Sequence, residues 1–205
     1  KGRRQSTAYC YLEPALSRPN LTVLTNSLVL NLSFEGKRCS GVRFIKDGQI
    51  QEKLAFREVI LSSGSINSPK ILELSGIGQP DILLKNNITP FHELSGVGEN
   101  LRDHYSPRMR YGIHARDFTF CERGNGLSLG IETLKYFFAR RGFMALSTVP
   151  LRMYFKTRIG LSSPDATISF MPYLTERRRR ARVISKRPGL TMSVNVLRPE
   201  SRGSI

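Results

Sequence analysis

The sequence predicts a fold that mixes α/β and α+β architecture in two parts, and three observations predict it. An apolar run, a small-residue turn and a helix-like segment follow one another over residues 57–78, as in a strand–turn–helix unit. Residues 20–54 combine β-branched residues with hairpin turns, which is typical of antiparallel strands. Beyond Tyr105 the composition changes to alternating strands with one helix. We therefore predict two domains, residues 1–105 and residues 106–205.

The first part should contain an antiparallel meander. Residues 20–34 are rich in β-branched and apolar residues, and they predict two strands separated by a turn at residues 25–27. Glycine-containing turns at residues 35–37 and 46–48 flank a further strand over residues 40–45. A plain antiparallel layer is the simplest interpretation of this region.

The meander is followed by the strand–turn–helix unit. Residues 59–61 form an apolar run that is too short for a helix, so they predict a buried strand. Residues 62–65 are small and predict a turn. Ser68 suits an N-cap, Pro69 suits the first helical position and Gly76 suits the end of the helix. Backbone N–H groups at such a turn can bind a polar or anionic ligand. A crossover that binds no ligand is the alternative.

The second part should be a set of antiparallel strands with a covering helix. Ile168 and Phe170 alternate with Thr167 and Ser169, as expected for a strand with two different faces. An amphipathic pattern before Gly142 predicts the helix. The predicted strands are residues 108–113, 149–155, 166–173 and 189–197, and the predicted helix is residues 131–140.

The charge is strongly basic and unevenly distributed. The formal net charge is +16, and residues 1–100 contribute little of it, since they hold 12 basic and 9 acidic side chains. A basic cluster favours binding to a polyanion, either nucleic acid or an anionic membrane surface. A solvated loop between two strands is the alternative, and the lack of interleaved aromatic residues and of nucleic-acid motifs favours it. The densest cluster comprises the run Arg177, Arg178, Arg179 and Arg180, with Arg182, Lys186 and Arg187.

Two motifs resemble one known family. Residues 64–78, GSINSPKILELSGIG, resemble the second signature of the glucose–methanol–choline (GMC) family of FAD-dependent oxidoreductases. Residues 96–104, GVGENLRDH, resemble the segment that crosses from the flavin domain of this family toward its substrate domain. The second motif lacks the third glycine of a dinucleotide fingerprint. Asp103 and His104 are interpreted as a structural hydrogen-bonded pair, with a metal or acid–base site as the alternative.

The resemblance implies a fold and a cofactor. It implies part of an FAD-binding Rossmann-like domain, followed by part of an antiparallel-sheet substrate domain. In the family, a segment similar to residues 20–25 precedes a valine whose backbone contacts the adenine of FAD, and Val29 occupies that place. Ser63 and Gly64 correspond to a pair, more often Ala-Gly, that lies beside the cofactor. The expected cofactor-binding residues are therefore Val29, Ser63 and Gly64.

The resemblance also implies an activity. A complete protein of this type, similar to choline dehydrogenase, oxidises the CH–OH group of an alcohol by hydride transfer to FAD. The glycine-rich FAD fingerprint and the segment with the catalytic histidine do not occur in this sequence, so we assign no catalytic residue. We expect an internal fragment that is inactive alone. Its expected partners are a small alcohol and the N- and C-terminal parts of the same polypeptide, with no specific nucleic acid. A polyanion-binding module and a remnant without activity are the alternatives.

The sequence gives weaker indications of location. It contains no long apolar stretch and no hydrophobic leader, and it does not begin with Met, which suggests a start inside a longer chain. Cys10, Cys39 and Cys121 are widely spaced and are typical of reduced, structural thiols. We expect a cytoplasmic protein without a transmembrane segment. Peripheral association with the inner membrane and a periplasmic location are the alternatives.

Overall fold

The computed structural model describes residues 2–114, 119–178 and 181–205, and the chain forms two compact units. We call residues 15–102 with residues 200–205 the first unit. Residues 1–14 with residues 103–199 are the second unit. Each unit is described by itself below.

The described elements up to residue 102 include the predicted meander and two helices. A π-helical turn, Ala8–Leu12, leads into α1, Glu13–Ala15. The remaining elements are β1 (Leu28–Glu35), β2 (Arg38–Lys46), β3 (Gln49–Leu54), α2 (Gly64–Leu74), β4 (Ile77–Gly78), α3 (Pro80–Lys85) and β5 (His92–Glu93).

β1, β2 and β3 form an antiparallel sheet in that order, so both predicted hairpin turns are confirmed. Gly36 has φ +56°, while Asp47 and Gly48 have φ +52° and +76°. These left-handed conformations match the twist of paired strands. The strand predicted before residue 25 is wrong, because no described strand lies beside residues 20–27 to accept its hydrogen bonds.

The strand predicted at residues 59–61 is also wrong. These residues are extended but pair with no described strand, and 77% of Ile60 is exposed. A segment is a β-strand only when its backbone forms hydrogen bonds with a neighbouring strand, so an apolar run alone is not sufficient.

α2 begins five residues earlier than predicted. The chain turns at Gly64, which has φ +90°, and Pro69 lies inside the helix rather than at its start. Ser68 does not cap from outside the helix, because its hydroxyl accepts a hydrogen bond from the N–H of Ser63 at 3.0 Å. The predicted end is confirmed. Gly76 has φ +79°, and a side chain there would meet the carbonyl oxygen of Thr89.

The core of the first unit lies between the meander and the two helices. Ile71 of α2, Leu83 of α3 and Phe44 of β2 are buried, as is Val97. α3 begins with Pro80 and ends before Asn87, which adopts a left-handed conformation. β4 and β5 form a short parallel pair.

The second unit contains the predicted antiparallel sheet. Its strands have the order β6-β11-β8-β7, and β9 and β10 form a separate two-stranded ribbon. Its elements are β6 (Arg108–Gly112), α4 (Phe120–Arg123), α5 (Gly126–Ala139), a 3₁₀ turn (Phe143–Ala145), β7 (Leu151–Phe155), β8 (Ala166–Met171), β9 (Thr175–Arg178), β10 (Ala181–Ile184) and β11 (Gly189–Val196).

The polar face of β8 is the more buried one. Thr167 and Ser169 are buried, whereas Ile168 and Phe170 are half-buried. Ser169 lies opposite Ser193 of β11 and opposite Arg152 of β7, whose Nε donates to the Ser169 hydroxyl at 3.1 Å. The long arginine side chain thus reaches the small hydroxyl beside it, as expected for neighbouring residues on one face.

α5 differs from its prediction at both ends. It begins at Gly126 and ends at Ala139, and the residue that follows, Arg140, caps it with φ +52°, so Gly142 does not close it. Its buried residue is Glu132, while the aromatic residues Phe137 and Phe138 are exposed. No helix among the described residues has both the length and the apolar character needed to cross a bilayer.

Candidate functional site

A small cavity in the first unit lies between the start of β1 and the side of α2. Its volume is about 210 Å³, and it contains two of the residues expected to bind the cofactor, Val29 and Ser63. Gly64, the third, follows Ser63 at the start of α2. The full lining is Ser27, Leu28, Val29, Ser63, Asn67, Lys70, Ile71 and Leu74. The structure therefore brings residues 34 positions apart in the sequence to one place.

A hydroxyl group holds α2 against β1. Ser75 donates from Oγ to the Ile71 carbonyl at 2.6 Å and accepts from the N–H of Leu32 at 2.8 Å. The first bond lies within the end of α2, and the second reaches the exposed edge of β1. Ser75 thus satisfies a backbone donor of a sheet edge that has no strand beside it among the described residues. This contact fixes the side of α2 that faces Val29.

β1 has an irregularity at the cavity. The pairing register with β2 shifts between Val29 and Asn31. A bulge of this kind bends a strand and re-aims its side chains, and bulges are common beside functional sites. The Val29 backbone is therefore not part of a regular ladder at the point where it meets the cavity.

The turn at Gly64 provides close access to the backbone. A Cβ atom built on Gly64 would meet no described atom within 4 Å, so the residue is not required by crowding. Its φ of +90° requires glycine, because a side chain disfavours this conformation. The first turn of α2 contains no acidic residue, and Lys70 lies in the cavity lining. The local charge therefore favours a polar or anionic ligand.

A larger cavity lies on another side of α2 in the same unit. Its volume is about 530 Å³, which is within the usual range for ligand pockets. α2 contributes Ser65, Ser68, Pro69 and Leu72, and residues 96–102 contribute most of the rest. Both sequence motifs therefore line one cavity, which their separate spacings did not predict.

The loop over residues 96–102 has a constrained backbone. Gly98 has φ +77°, and a Cβ atom on it would lie 3.1 Å from Oε1 of Glu73. Its carbonyl oxygen accepts from the N–H of Ile205 at 2.8 Å, and Leu101 pairs with Gly203. Asn100 also adopts a left-handed conformation, with φ +61°. Gly98 and Asn100 thus provide the left-handed backbone conformations that the loop needs in order to turn around the cavity.

The described part of the chain contains no group of three or more His, Cys, Asp and Glu residues that could hold a metal ion. Asp103 and His104 are exposed, and Oδ1 of Asp103 accepts from the N–H of His104 at 2.8 Å. This bond uses the backbone N–H of His104, so a structural hydrogen bond of its imidazole stays a prediction. The groups around the two cavities are hydroxyls, amides, backbone donors and apolar side chains, which suit binding and orientation of a ligand.

Comparisons with known proteins identify the family. A family model described as GMC oxidoreductase matches residues 1–106, which is more than half of the chain. The chain belongs to the GMC oxidoreductase family. The resemblance given by the two motifs is therefore confirmed.

Curated relatives of this GMC chain include choline dehydrogenases. Mitochondrial choline dehydrogenase of Mus musculus is 38% identical over 172 residues, which cover 84% of this chain and 29% of that protein. Oxygen-dependent choline dehydrogenase of Chromohalobacter salexigens is 36% identical over 207 residues, which cover 100% of this chain and 36% of that protein. The chain spans about a third of the length of these relatives.

Solved structures agree on the fold. A formate oxidase of Aspergillus oryzae RIB40 has a TM-score of 0.78 at 21% identity, over 91% of this chain and 37% of that one. A pyridoxine 4-oxidase from Mesorbium loti has a TM-score of 0.75 at 22% identity, over 100% of this chain and 36% of that one. At these identities the likeness shows the fold, and the predicted mixed fold class is confirmed.

Proposed function

We propose that this chain is part of an FAD-dependent oxidoreductase that acts on the CH–OH group of a small alcohol. The observation that carries the proposal is the placement of both family motifs, residues 64–78 and 96–104, around one cavity beside α2. Residues 1–105 belong to the FAD-binding domain in this proposal, and residues 106–205 belong to the substrate domain. Choline is the first substrate to test, because the curated relatives named above are choline dehydrogenases.

The cofactor-binding residues in this proposal are Val29, Ser63 and Gly64. Val29 and Ser63 line a cavity of about 210 Å³, and Gly64 follows Ser63 in the chain. This cavity is smaller than the roughly 300–1,000 Å³ of a pocket that encloses a drug-sized ligand, so it suits one ring end of a dinucleotide. The backbone of Val29 can contact a ligand at the irregularity of β1, and the backbone of Gly64 can contact it because no side chain is in the way. These features fit the adenine end of FAD. When bound, FAD accepts the hydride that leaves the alcohol carbon.

The role of the chain in this proposal is to bind and to position. The first unit holds part of the cofactor, and the sheet of the second unit forms part of the surface over which the alcohol lies. No residue of the described chain is assigned as the acid or base of the reaction. The remaining parts of the polypeptide are the expected partners, and the 205-residue chain alone should retain little FAD and show no turnover.

A chimeric enzyme tests the proposal. The aligned region of the Chromohalobacter salexigens relative is replaced by this chain, and flavin content and choline-dependent dye reduction are measured. We expect a yellow protein that oxidises choline. Gly64→Val should reduce the flavin content by more than half. The valine side chain would block the approach of a ligand to the backbone, and it disfavours φ +90°. Gly112→Val is the matched control, since Gly112 lies in β6 and its conformation is not left-handed. A folded chimera without flavin would contradict the proposal.

We also propose a cytoplasmic location, with peripheral association at the inner membrane as its alternative. Neither location requires a membrane-crossing helix, and the described ranges contain no helix long and apolar enough to be one. Fractionation of cells that express the tagged chain, followed by a high-salt wash of the membranes, separates the two. A protein that stays with the membranes after the wash contradicts both.

A second candidate function is polyanion binding by the β9–β10 ribbon. Arg177 lies directly opposite Arg182 in the ribbon, and like charges in this arrangement destabilise a strand pair unless an anion is bound. Arg179 and Arg180 lie outside the described residues. On heparin, Arg177→Gln/Arg182→Gln should elute at clearly lower salt than an Arg57→Gln/Arg158→Gln control. Equal elution of the two variants contradicts a specific role for the ribbon.

A further inference from the structure

A second cleft, unrelated to the family motifs, lies in the second unit. Its volume is about 620 Å³, and its lining comes from the N-terminal segment, from α5 and from the residues after the 3₁₀ turn. The N-terminal segment approaches the end of α5 closely, because a Cβ atom on Gly2 would lie 2.7 Å from the carbonyl oxygen of Arg140. The lining residues are Gly2, Arg3, Arg4, Tyr136, Met144, Ala145, Leu146, Ser147 and Thr148.

The lining contains hydrogen-bond donors and no carboxylate. The guanidinium groups of Arg3 and Arg4 have no Asp or Glu oxygen within 4.0 Å in the described part of the chain, where Lys135–Glu132 is the ion pair found. The Arg3 guanidinium lies over the ring of Tyr9, with its Cζ 5.9 Å from the ring centre, a contact that leaves its charge without a carboxylate partner. The two positive charges of Arg3 and Arg4, without a carboxylate partner in the described part of the chain, repel one another and favour a bound anion.

Hydroxyl and amide groups complete the set. The Ser147 hydroxyl accepts from the N–H of Val149 at 3.2 Å, which leaves its own proton available for a ligand. The backbone N–H groups of Ser147 and Thr148 donate to no other described residue. Thr148 and Tyr136 add hydroxyls to the lining. All these groups can donate to an oxyanion.

The buried carboxylate of Glu132 holds the 3₁₀ turn that leads to Ser147 and Thr148. Glu132 of α5 accepts from Nζ of Lys135 at 2.9 Å and from the N–H of Phe143 at 3.0 Å. The hydrogen bond from Lys135 and then that from Phe143 hold the pKa of Glu132 below its ordinary value. The carboxylate of Glu132 is therefore already paired, and it does not compete for Arg3 and Arg4.

We propose that this cleft binds a tetrahedral oxyanion of charge near −2, the phosphate group of a small phosphate ester. The planar guanidinium group of arginine donates two parallel hydrogen bonds to two phosphate oxygens, an arrangement that a lysine or a hydroxyl group cannot form. The volume lies within the roughly 300–1,000 Å³ that is typical of pockets for small organic ligands, so it exceeds what a bare ion needs. The site does not depend on the proposed flavin function, because its residues lie in neither motif cavity.

Calorimetric titration of the 205-residue chain tests the proposal at constant ionic strength. Inorganic phosphate and glycerol 3-phosphate should bind saturably, and acetate should bind at least tenfold more weakly because it carries a single charge. Arg3→Gln/Arg4→Gln should lower phosphate affinity at least tenfold. The control Arg57→Gln/Arg158→Gln removes the same charge from exposed arginines outside the cleft lining and should change it less than twofold.

Three results would overturn the proposal: phosphate binding that does not saturate, equal affinity for phosphate and acetate, or an equal loss in the control variant. Ser147→Ala is a second variant that removes one exposed donor without changing the charge. It should weaken phosphate binding severalfold and leave the far-UV circular dichroism unchanged. Unaltered affinity in both Ser147→Ala and the double arginine variant would exclude this cleft.

Discussion

At the scale of single residues, Gly64 shows how one backbone conformation supports a site. Its φ of +90° belongs to the left-handed side of the map, and no described atom lies within 4 Å of the place a Cβ would take. The cost of Gly64→Ala is therefore conformational strain rather than collision, and we expect a loss of about 1–2 kcal/mol in the free energy of unfolding. Urea denaturation measures it. Gly130→Ala, in the interior of α5 with open space around it, should instead stabilise by roughly 0.5–1 kcal/mol.

Ser75 is the second residue whose role is specific. Replacing it with alanine removes the acceptor for the Leu32 N–H, a partly buried donor that then has no described partner. A buried donor left unsatisfied costs about 1–3 kcal/mol, so Ser75→Ala should lower the free energy of unfolding by that amount and shift the urea midpoint to a lower concentration. Ser95→Ala is the control, because Ser95 is exposed and its hydroxyl makes no described hydrogen bond. Equal midpoints for the two variants would show that Ser75 does not hold α2 to β1.

At the scale of elements, the sequence predicts turns and strand pairs well but predicts isolated strands badly. The turns at residues 35–37 and 46–48 follow from glycine and from local backbone preference, which the sequence contains. Residues 59–61 have an equally clear apolar pattern, yet the strand depends on a neighbour that no local pattern specifies. The start of α2 was predicted wrongly for a related reason. The helix begins at Gly64, whereas the N-cap preference of serine and the first-turn preference of proline predict a start at Ser68 and Pro69.

The element α5 gives a pH prediction through Glu132. Hydrogen bonds from Lys135 and then from Phe143 hold the pKa of Glu132 below its ordinary value of 4.5. Because the folded-state pKa is the lower one, the stabilisation is complete above the unfolded pKa and is lost as pH falls through the folded pKa. The urea midpoint should therefore drop on acidification below about pH 4.5.

Two variants separate the contributions to this acid sensitivity. Glu132→Gln should flatten the dependence on pH and lower the midpoint at neutral pH, since an amide cannot pair with Lys135. Asp165 has a lowered pKa as well, through hydrogen bonds from the Thr157 side chain and then its N–H. In Asp165→Asn, the urea midpoint should still fall with pH by the amount that Glu132 contributes. An unchanged slope in Glu132→Gln would assign the whole effect to other carboxyls.

At the scale of the whole chain, the sequence predicted the fold class and two of the residues that meet in the first unit. Val29 and Ser63 were placed by resemblance, and the structure puts them in one cavity. The sequence could not predict that the two motifs line a common cavity. Residues 64–78 and 96–104 are separated by α3 and β5, and the way these elements pack depends on tertiary contacts that no local pattern specifies. The phosphate cleft was missed because its arginines lie far in sequence from Tyr136 and Ser147.

The net charge gives the last prediction, which concerns the molecule as a whole. The chain carries +16, and Lys135–Glu132 is the ion pair found within 4.0 Å across the described residues. Repulsion among the excess positive charges should therefore outweigh attraction, and salt should stabilise the fold by screening it. The Debye length falls from about 30 Å at 0.01 M to about 10 Å at 0.1 M, so most of the gain should appear in this range. Thermal unfolding in sodium chloride at pH 7 measures it, with Arg177→Gln/Arg182→Gln expected to show a smaller rise in Tm. A Tm that falls with salt would mean that attractive pairs dominate the surface.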